Sequence, residues 1–484
     1  KQKYKIPTLM GYDEDKSDNS GFEGAIVLEP KTGLYLDDPI SVVDYASLYP
    51  SSIIEKNISH DTYLGEYEDI KNEEWFKKYD PKTDYNRIKY ENFKYVQKEG
   101  TSVVDKIKDT DKPEIECVYL RENKKKGIIP MVLSELLSAR SATKKLLKKE
   151  KDENKKKVLD GFQLSYKLSA NSVYGQLGAK TSCLSFKKVA ACTTAIGRQK
   201  IIDAKKYAFD WAMMPKNNWI YNPLKELHTN YEEYYNNLSY EDREKLSLDN
   251  NILDVVYGDT DSIFIKFTRK TSKDVELTKL DAVQHCIDCG IEAGKYITGK
   301  LKIDSEWSDE FGEYPQDLEY EKTFYPFILI SKKRYTGEKY EYKSSEIPKR
   351  TSMGLVTKRR DNAPIVKYVF GNMVNRLMNA TKVDDVVKWL KDTLDNIVSG
   401  REDISMFIIS KTLNSYYKNP DSIAHKVLAD RMGERDPGNK PKSNDRIPYA
   451  FIVTEPKYIN IGFKKAYKME ETGKFKIVKK KVKT

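Results

Sequence analysis

Residues 252–267 of the chain read ILDVVYGDTDSIFIKF. The apolar runs 252–257 and 263–267 flank a Gly-Asp-Thr-Asp tetrapeptide, which predicts two antiparallel strands joined by a tight turn. Asp259 and Asp261 stand at i and i+2, on one side of an extended chain. Two like charges so close are unfavourable unless a cation lies between them. An ordinary polar hairpin tip is the alternative, but the apolar flanks favour a tip that lies in a cleft.

A second strand-end carboxylate lies upstream, in the sequence DYASLYPS at 44–51. The apolar runs Ala25–Leu28 and Ile40–Val43 predict strands, and the second ends at Asp44. A carboxylate at a strand end suits a hard divalent cation, and the exposed N–H groups of the following turn suit phosphate oxygens. Alternatively, Asp44 merely caps that turn. Together with the downstream pair it can hold two Mg²⁺ ions roughly 3.5–4 Å apart, as phosphoryl displacement requires.

A long helical pattern separates these two segments. Pro130 opens a stretch from Met131 to about Lys157, and a second stretch covers Leu159–Val173. Because the connector is short, the two helices are predicted to pack antiparallel as a hairpin.

Cationic and polar side chains recur at helical spacing on both of these helices. They are Arg140, Lys144 and Lys148 on the first helix and Lys167, Asn171 and Tyr174 on the second. Such a row is a triphosphate clamp if it faces a cleft. A solvated face is the better interpretation for most of the lysines. Asn171 and Gly175 are poor helix formers, which indicates a reason other than helix stability.

Composition sets the broad class of protein. A chain of 484 residues predicts roughly three domains, and 85 Lys and Arg against 74 Asp and Glu give a net charge of +11, which favours a polyanionic partner. Five cysteines are too few for a disulfide framework and predict a reducing compartment. Cys286 and Cys289 form a lone C-x-x-C without further zinc ligands. We found no signal peptide or membrane-spanning run, and the first residue, Lys1, indicates a piece of a longer product.

Several further segments complete the pattern. Polar stretches at about 65–115 and 215–250 are predicted to be surface insertions, the first with one or two short strands. The other elements predicted are helices at 277–301, 366–378 and 383–398 and β structure at 318–331. The cluster Lys332-Lys333-Arg334-Tyr335 suits a nucleic-acid backbone, although a strand end held in solvent would look the same.

Three of these motifs, in this order and spacing, resemble motifs A, B and C of the B-family DNA polymerases. They are Asp44-Tyr-Ala-Ser-Leu-Tyr-Pro-Ser, Lys167-Leu-Ser-Ala-Asn-Ser-Val-Tyr-Gly and Tyr257-Gly-Asp-Thr-Asp-Ser. Shorter segments extend the likeness along the chain: Phe22-Glu-Gly-Ala25, Gly127-Ile-Ile-Pro130, Thr194-Ala-Ile-Gly-Arg198, Arg359-Arg-Asp-Asn362, Arg435-Asp-Pro-Gly438 and Asp445-Arg-Ile-Pro448. The likeness points to replicative eukaryotic-type and large-DNA-virus members, and the polar insertions at 65–115 and 215–250 favour a large DNA virus.

The resemblance implies an α+β multidomain fold with a right-hand arrangement. It implies a palm with a ferredoxin-like antiparallel sheet, helical-hairpin fingers and a mostly helical thumb. The corresponding ranges are 1–127 for the first part of the palm, 128–176 for the fingers, 177–355 for the rest of the palm and 356–484 for a truncated thumb. The family's proofreading nuclease motifs lie upstream of motif A and do not occur in this chain.

The resemblance also implies roles for individual residues. Asp44 and Asp261 would be the principal ligands of two Mg²⁺ ions, for which Mn²⁺ is a possible substitute, and Asp259 would assist. The nucleotide would be bound by the backbone of Ser47 and Leu48, by Tyr49 as the steric gate against a 2′-OH, and by Arg140, Lys144, Lys167 and Asn171. Tyr174 and Gly175 would line the nascent base pair. Lys332, Lys333, Arg334 and Tyr335 would bind the primer–template duplex.

The expected reaction is template-directed addition of deoxynucleotides (dNTPs) to a primer 3′-OH. The partners are primer–template DNA and dNTPs, and a sliding clamp is a further candidate, although this chain has no clamp motif. A membrane partner is not expected. The location is expected to be intracellular, in a host nucleus or a cytoplasmic virus factory if the protein is viral. A metal-dependent nuclease and a non-enzymatic DNA-binding protein are the alternatives.

Overall fold

The computed structural model describes residues 20–97, 104–179, 181–305, 307–379, 382–417, 419–451, 458–461, 464–468 and 475–477. The chain divides into two compact units, Lys1–Met353 and Gly354–Thr484. Helices and antiparallel sheets occur in both units, so the predicted α+β class is confirmed. No helix within the described ranges is both long enough and apolar enough to cross a membrane.

The strands of the first unit are β1 Ser20–Phe22, β2 Gly33–Tyr35, β3 Ile40–Tyr45, β4 Tyr63–Glu66, β5 Tyr85–Gln97, β6 Val104–Lys108, β7 Glu114–Leu120, β8 Leu253–Asp259, β9 Ser262–Phe267, β10 Leu318–Ser331, β11 Arg334–Tyr340 and β12 Lys349–Met353. Its helices are α1 Leu48–Glu55, α2 Tyr67–Ile70, α3 Glu74–Lys77, α4 Ile128–Lys149, α5 Glu153–Gly178, α6 Lys187–Met213, α7 Leu224–Leu227, α8 Tyr231–Asn236, α9 Tyr240–Asp249 and α10 Lys279–Asp304.

The second unit contains the helices α11 Pro364–Asn379, α12 Val383–Val398 and α13 Ala424–Arg435. Its strands are β13 Ile409–Thr412, β14 Arg446–Tyr449, β15 Tyr458–Ile461, β16 Lys464–Lys468 and β17 Phe475–Ile477. β13 pairs with β14, and β15, β16 and β17 form a three-stranded sheet. The two predicted helices at 366–378 and 383–398 are confirmed as α11 and α12.

A seven-stranded sheet organises the first unit. Its strand order is β12-β11-β10-β3-β9-β8, and β2 pairs with β10. Alternate residues point to opposite faces, so Val43 packs in the core formed with α6 and α10, whereas its neighbour Val42 packs in an aromatic core on the other face. The predicted strand at Ala25–Leu28 is wrong: there the chain makes only an isolated bridge, between Val27 and Asp259.

The first predicted insertion is more regular than expected. β5 has 13 residues and joins β1, β6 and β7, and β4 pairs with β7 on the far side. Its inner face buries Tyr90, Cys117 and Tyr119 against α6. The many charged residues between these apolar positions hid the strand pattern in the sequence.

The predicted helical hairpin exists as α4 and α5, but the break between the helices lies at 150–152 rather than after Lys157. Asp152 caps α5, because its carboxylate accepts hydrogen bonds from the N–H groups of Asn154 and Lys155. Pro130 lies in the first turn of α4, where its missing N–H costs no helical hydrogen bond.

The second predicted insertion consists of the short helices α7, α8 and α9. A buried carboxylate, Asp210 of α6, holds it in place. Tyr235 and Tyr296 each donate a hydrogen bond of 2.6 Å to Asp210, and Arg243 Nη1 lies 2.5 Å from it. A paired, fully hydrogen-bonded carboxylate can be buried at acceptable cost.

Candidate active site

A cleft of about 430 Å³ opens in the first unit and contains most of the predicted site residues. Its walls come from β3, α1, α4, α5, β10 and the turn between β8 and β9. The lining residues are Asp44, Tyr45, Ala46, Ser47, Leu48, Tyr49, Arg140, Lys144, Lys167, Asn171, Thr260, Asp261, Glu319, Tyr320, Glu321 and Tyr342.

Strand pairing brings Asp44 and Asp261 to the same end of the central sheet. Asp44 is the register partner of Ser262, so it lies directly beside the β8–β9 turn. The N–H of Tyr45 donates a 2.8 Å hydrogen bond to the carbonyl of Asp261, which joins the two segments. Thr260 has a φ of 63° at the tip of the turn.

Burial and neighbouring carboxylates destabilise the ionised forms of Asp44 and Asp261. Desolvation by burial, followed by the charges of Asp261 and Glu321, raises the pKa of Asp44 to about 8. Burial and the charges of Asp259 and Glu321 also raise the pKa of Asp261. The site therefore favours any cation that enters it.

Asp259 lies in a different environment from the other two aspartates. It does not line the cleft: one carboxylate oxygen is 2.5 Å from Lys333 Nζ, and the other accepts a 3.3 Å hydrogen bond from Tyr257. Thr260 Oγ1 also lies 3.2 Å from the carboxylate. Within the described ranges, no cluster of three or more His, Cys, Asp or Glu side chains could hold a metal ion. The structure thus brings two of the three predicted ligands together in the cleft and pairs the third with a lysine.

Two cleft carboxylates still fit a divalent cation of the Mg²⁺ type. Mg²⁺ in nucleotide-using enzymes is commonly held by one or two carboxylates, with substrate phosphates and water supplying the other oxygens. The pKa of Asp44 is raised first by burial and then by the like charges of Asp261 and Glu321, and a bound cation would relieve both effects.

The start of α1 forms the floor of the cleft. Ser47 has a φ of 87°, in the left-handed region, and its hydroxyl accepts a hydrogen bond of 3.3 Å from Arg140 Nη1. Its N–H, predicted to hold a phosphate, already donates to the carbonyl of Tyr45 at 2.7 Å. The prediction of a backbone phosphate contact therefore rests on Leu48.

Two cations of α4 face the acidic end of the cleft. Burial lowers the pKa of Arg140 and of Lys144, and the charge of Arg140 lowers the pKa of Lys144 further. Arg140 Nε is buried and has no hydrogen-bond partner among the described residues. Lys167 and Asn171 of α5 line the same cleft. A buried, unpartnered guanidinium N–H beside a second cation is suited to an anionic ligand.

Tyr49 and Tyr174 stack with a centroid separation of 4.4 Å and an interplanar angle of 30°. Tyr49 lines the cleft, whereas Tyr174 extends the stack toward α5. Gly175 is exposed, and a Cβ at its position would meet nothing within 4 Å. The structure therefore places the predicted steric gate in the cleft and stacks Tyr174 on it, whereas Gly175 lies on the exposed surface of α5.

The predicted DNA-binding cluster lies on both sides of the β10–β11 turn. Lys332 pairs with Glu29, and Arg334 is exposed. The position of Tyr335 does not agree with the predicted duplex contact. Only 8% of the residue is exposed, and its ring packs in the aromatic core on the face of the sheet that also buries Val42. β-Strand alternation turns that ring inward.

Sequence reasoning did not predict Glu319 and Glu321 as site residues, yet both line the cleft. Glu319 is the register partner of Asp44 across β3 and β10. The alternation of apolar and charged residues at the start of β10, from Leu318 to Glu321, could have indicated that both glutamates face the same way.

These features define an α+β protein in which an acidic strand-end pair lies opposite cations from a helical hairpin. The sequence model of DNA polymerase family B matches residues 2–482. The chain is 38% identical over 494 residues to a DNA polymerase of Pyramimonas orientalis virus, an alignment that covers 92% of this chain and 35% of that protein. The chain belongs to DNA polymerase family B.

Cellular proteins are also similar. The DNA polymerase delta catalytic subunits of Candida albicans and Drosophila melanogaster are each 31% identical to this chain, over 449 and 456 residues. These alignments cover 93% and 94% of this chain but 34% of each relative. The chain spans about a third of the length of the curated relatives it matches.

Proposed function

We propose that this chain catalyses template-directed addition of deoxynucleotides to a primer 3′-OH, in DNA replication. The observation that carries the proposal is the shared cleft, in which Asp44 and Asp261 lie opposite Arg140, Lys144 and Lys167. An acidic end binds divalent cations, and a cationic wall binds the triphosphate that those cations also contact. The relatives' names, DNA polymerase and DNA polymerase delta catalytic subunit, agree with this reading.

The proposal assigns a role to each main part of the fold. The seven-stranded sheet is the palm, α4 and α5 are the fingers, and residues 356–484 belong to the thumb. Lys332, Lys333 and Arg334 contact the primer–template duplex. The partners are primer–template DNA and dNTPs, and a sliding clamp is a further candidate.

In the reaction, Arg140, Lys144 and Lys167 orient the triphosphate so that its α-phosphorus faces the primer end. The 3′-hydroxyl loses its proton to solvent, its oxygen bonds to that phosphorus, and the bond to the leaving pyrophosphate breaks. Negative charge builds up on the pyrophosphate, and the cations of α4 and α5 stabilise it more strongly than in water because the cleft is partly desolvated.

Two Mg²⁺ ions, or Mn²⁺ in their place, would be held by Asp44 and Asp261, and they would lower the pKa of the 3′-hydroxyl and neutralise phosphate charge. Tyr49 would lie against the deoxyribose and exclude a 2′-hydroxyl. Movement of α4 and α5 would couple correct base pairing to closure of the cleft.

One assay separates this function from its alternatives. Purified protein, a labelled primed template, Mg²⁺ and dNTPs should give a longer primer. A shortened primer would instead favour a nuclease, and binding without any change in primer length would favour a DNA-binding protein that is not an enzyme.

A further inference from the structure

Helix α6 approaches the ring of Tyr49 at Gly197. A Cβ at Gly197 would lie 2.9 Å from Tyr49 Cε1, 3.5 Å from Tyr49 Cδ1 and 3.4 Å from Leu48 Cδ2. A Cβ contact below 3.0 Å essentially never occurs, so the ring would have to move. The Tyr49 ring therefore occupies space that only glycine leaves free.

Backbone conformation does not account for this glycine. Gly197 is buried within the 27-residue helix α6 and is not among the described residues with positive φ. Glycine inside a helix is less favourable than alanine by roughly 1 kcal/mol. Close approach of a neighbouring group is the other common reason for a helical glycine, and the Tyr49 ring supplies that group.

The ring has little freedom to yield to an added methyl group. It stacks on Tyr174 at 4.4 Å. Tyr49 lines the cleft and Gly197 does not, so the ring lies between α6 and the cleft. A side chain at position 197 would push the ring toward the bound sugar.

We propose that Gly197 is a positioning residue that sets how far the Tyr49 ring projects into the nucleotide cleft. The inference rests on the proposed function, in which that ring lies against the deoxyribose. Gly197 thereby sets the space left at C2′ of the incoming nucleotide.

A double-mutant cycle tests this inference. Gly197→Ala, Tyr49→Ala and the double variant are compared in single-nucleotide incorporation with a dNTP and the matching ribonucleotide. We expect Gly197→Ala to raise the KM for the dNTP about tenfold or more, with a smaller change in kcat. Ribonucleotide use should fall at least as far, whereas Tyr49→Ala should increase it.

The effect of Gly197→Ala in the Tyr49→Ala background shows whether the contact with the Tyr49 ring causes the loss. In Tyr49→Ala the space is open, so adding Gly197→Ala should change the KM by less than about twofold. Gly299→Ala is the matched control: it lies in helix α10, and a Cβ there would meet nothing within 4 Å. It should leave both kinetic constants unchanged.

A second readout needs no activity. Gly197→Ala should lower the melting temperature of the chain but raise it in the Tyr49→Ala background, where only the helix-favouring effect of alanine remains. Gly299→Ala should raise it in both backgrounds. A change in melting temperature of opposite sign in the two backgrounds would show that the contact between residue 197 and the Tyr49 ring is responsible.

Equal kinetic losses in both backgrounds, or a melting temperature that shifts the same way in both, would overturn the inference while leaving the proposed function intact. A wild-type chain that binds primed template but adds no nucleotide would reject the proposed function. The sign reversal would then still support Gly197 as the residue that positions the ring.

Discussion

Asp44 and Asp261 are a costly pair in the absence of a cation. Both are partly buried; the charge of Asp261 raises the energy of ionised Asp44, and the charges of Asp259 and Glu321 raise that of ionised Asp261. Such an arrangement lowers stability, and functional sites commonly keep it because ligand binding requires it. The requirements of folding alone therefore do not explain why these two carboxylates lie together.

Asp261→Asn should abolish extension and stabilise the free protein. Losing one carboxylate removes several kcal/mol of charge stabilisation in the transition state, so extension should slow by at least about 100-fold. Removing the like-charge repulsion should raise the melting temperature in EDTA. Primer extension and thermal denaturation measure the two effects, and duplex affinity should change little.

Asp254→Asn is the matched control for this variant. Asp254 lies on β8, in the same hairpin, and pairs with Lys31 at 2.6 Å, away from the cleft. Partly exposed ion pairs contribute little, so extension should remain near normal. An Asp261→Asn variant that extends primers at a rate close to wild type would refute the metal-ligand assignment.

The start of α4 is fastened to the segment that follows α1. Asn57 is buried and has a φ of 52°; its Nδ2 donates to the carbonyls of Leu120 and Lys125, and its Oδ1 accepts from the N–H of Gly127. These hydrogen bonds join the helix that carries Arg140 to the motif A segment. The position of the cationic wall therefore depends on a residue outside the cleft.

Asn57→Ala should lower the free energy of unfolding by about 3 kcal/mol, because three backbone groups, two of them buried, lose their partner. The KM for dNTPs should rise as α4 loosens. Urea unfolding and steady-state kinetics measure these effects. Asn86→Ala, which removes a single 3.1 Å hydrogen bond to the Lys56 carbonyl, should cost far less; equal costs would contradict this role.

Glu55, at the end of α1, provides a pH-dependent contribution to stability. Burial raises its pKa, but Lys200 and Lys56 and a hydrogen bond from Gln316 outweigh burial and hold the pKa below its usual 4.5. Because the pKa of Glu55 is lower in the folded than in the unfolded chain, its ionised form stabilises the fold above about pH 4.5. That stabilisation is lost as the pH falls through the pKa of the folded state.

Glu55→Gln should therefore flatten the fall in melting temperature below pH 4.5. At neutral pH it should destabilise the chain by roughly 3–5 kcal/mol, because Lys200 stays buried without its partner. Thermal denaturation between pH 3.5 and about pH 7 tests both effects. An unchanged slope would show that Glu55 does not titrate with folding.

The molecule as a whole has a net charge of +11, and part of that charge surrounds a second cleft, in the second unit. Arg359, Arg360, Lys411 and Arg446 line this space of about 540 Å³. Arg359 pairs with Asp361, while Arg446 binds backbone carbonyls. Arg360 and Lys411 are the exposed cations best suited to a phosphate backbone.

Replacing Arg360 and Lys411 by alanine should weaken primer–template binding without changing the KM for dNTPs. Each lost phosphate contact reduces the slope of log affinity against log salt by about 1, so the double variant should lose about 2. Binding titrations over a range of salt concentrations measure this slope. An unchanged slope would exclude a phosphate contact in this cleft.

Local pattern predicted the elements well. The β8–β9 hairpin, β3, the α4–α5 hairpin and α10 follow from short-range periodicity and from turn and capping residues, because these constrain only a few neighbouring residues. Boundaries were less certain: Lys151 to Lys157 carry no apolar signal, so the break between α4 and α5 was placed several residues too late.

The resemblance to the polymerase family named several of the residues that line the cleft, but their partners depend on tertiary structure. Asp259 pairs with Lys333, 74 residues away, and Tyr335 turns into the core. Gly197 meets Tyr49 because α6 crosses behind α1. Sheet register and helix packing bring such distant residues together, and no local pattern in the chain encodes the distance between them.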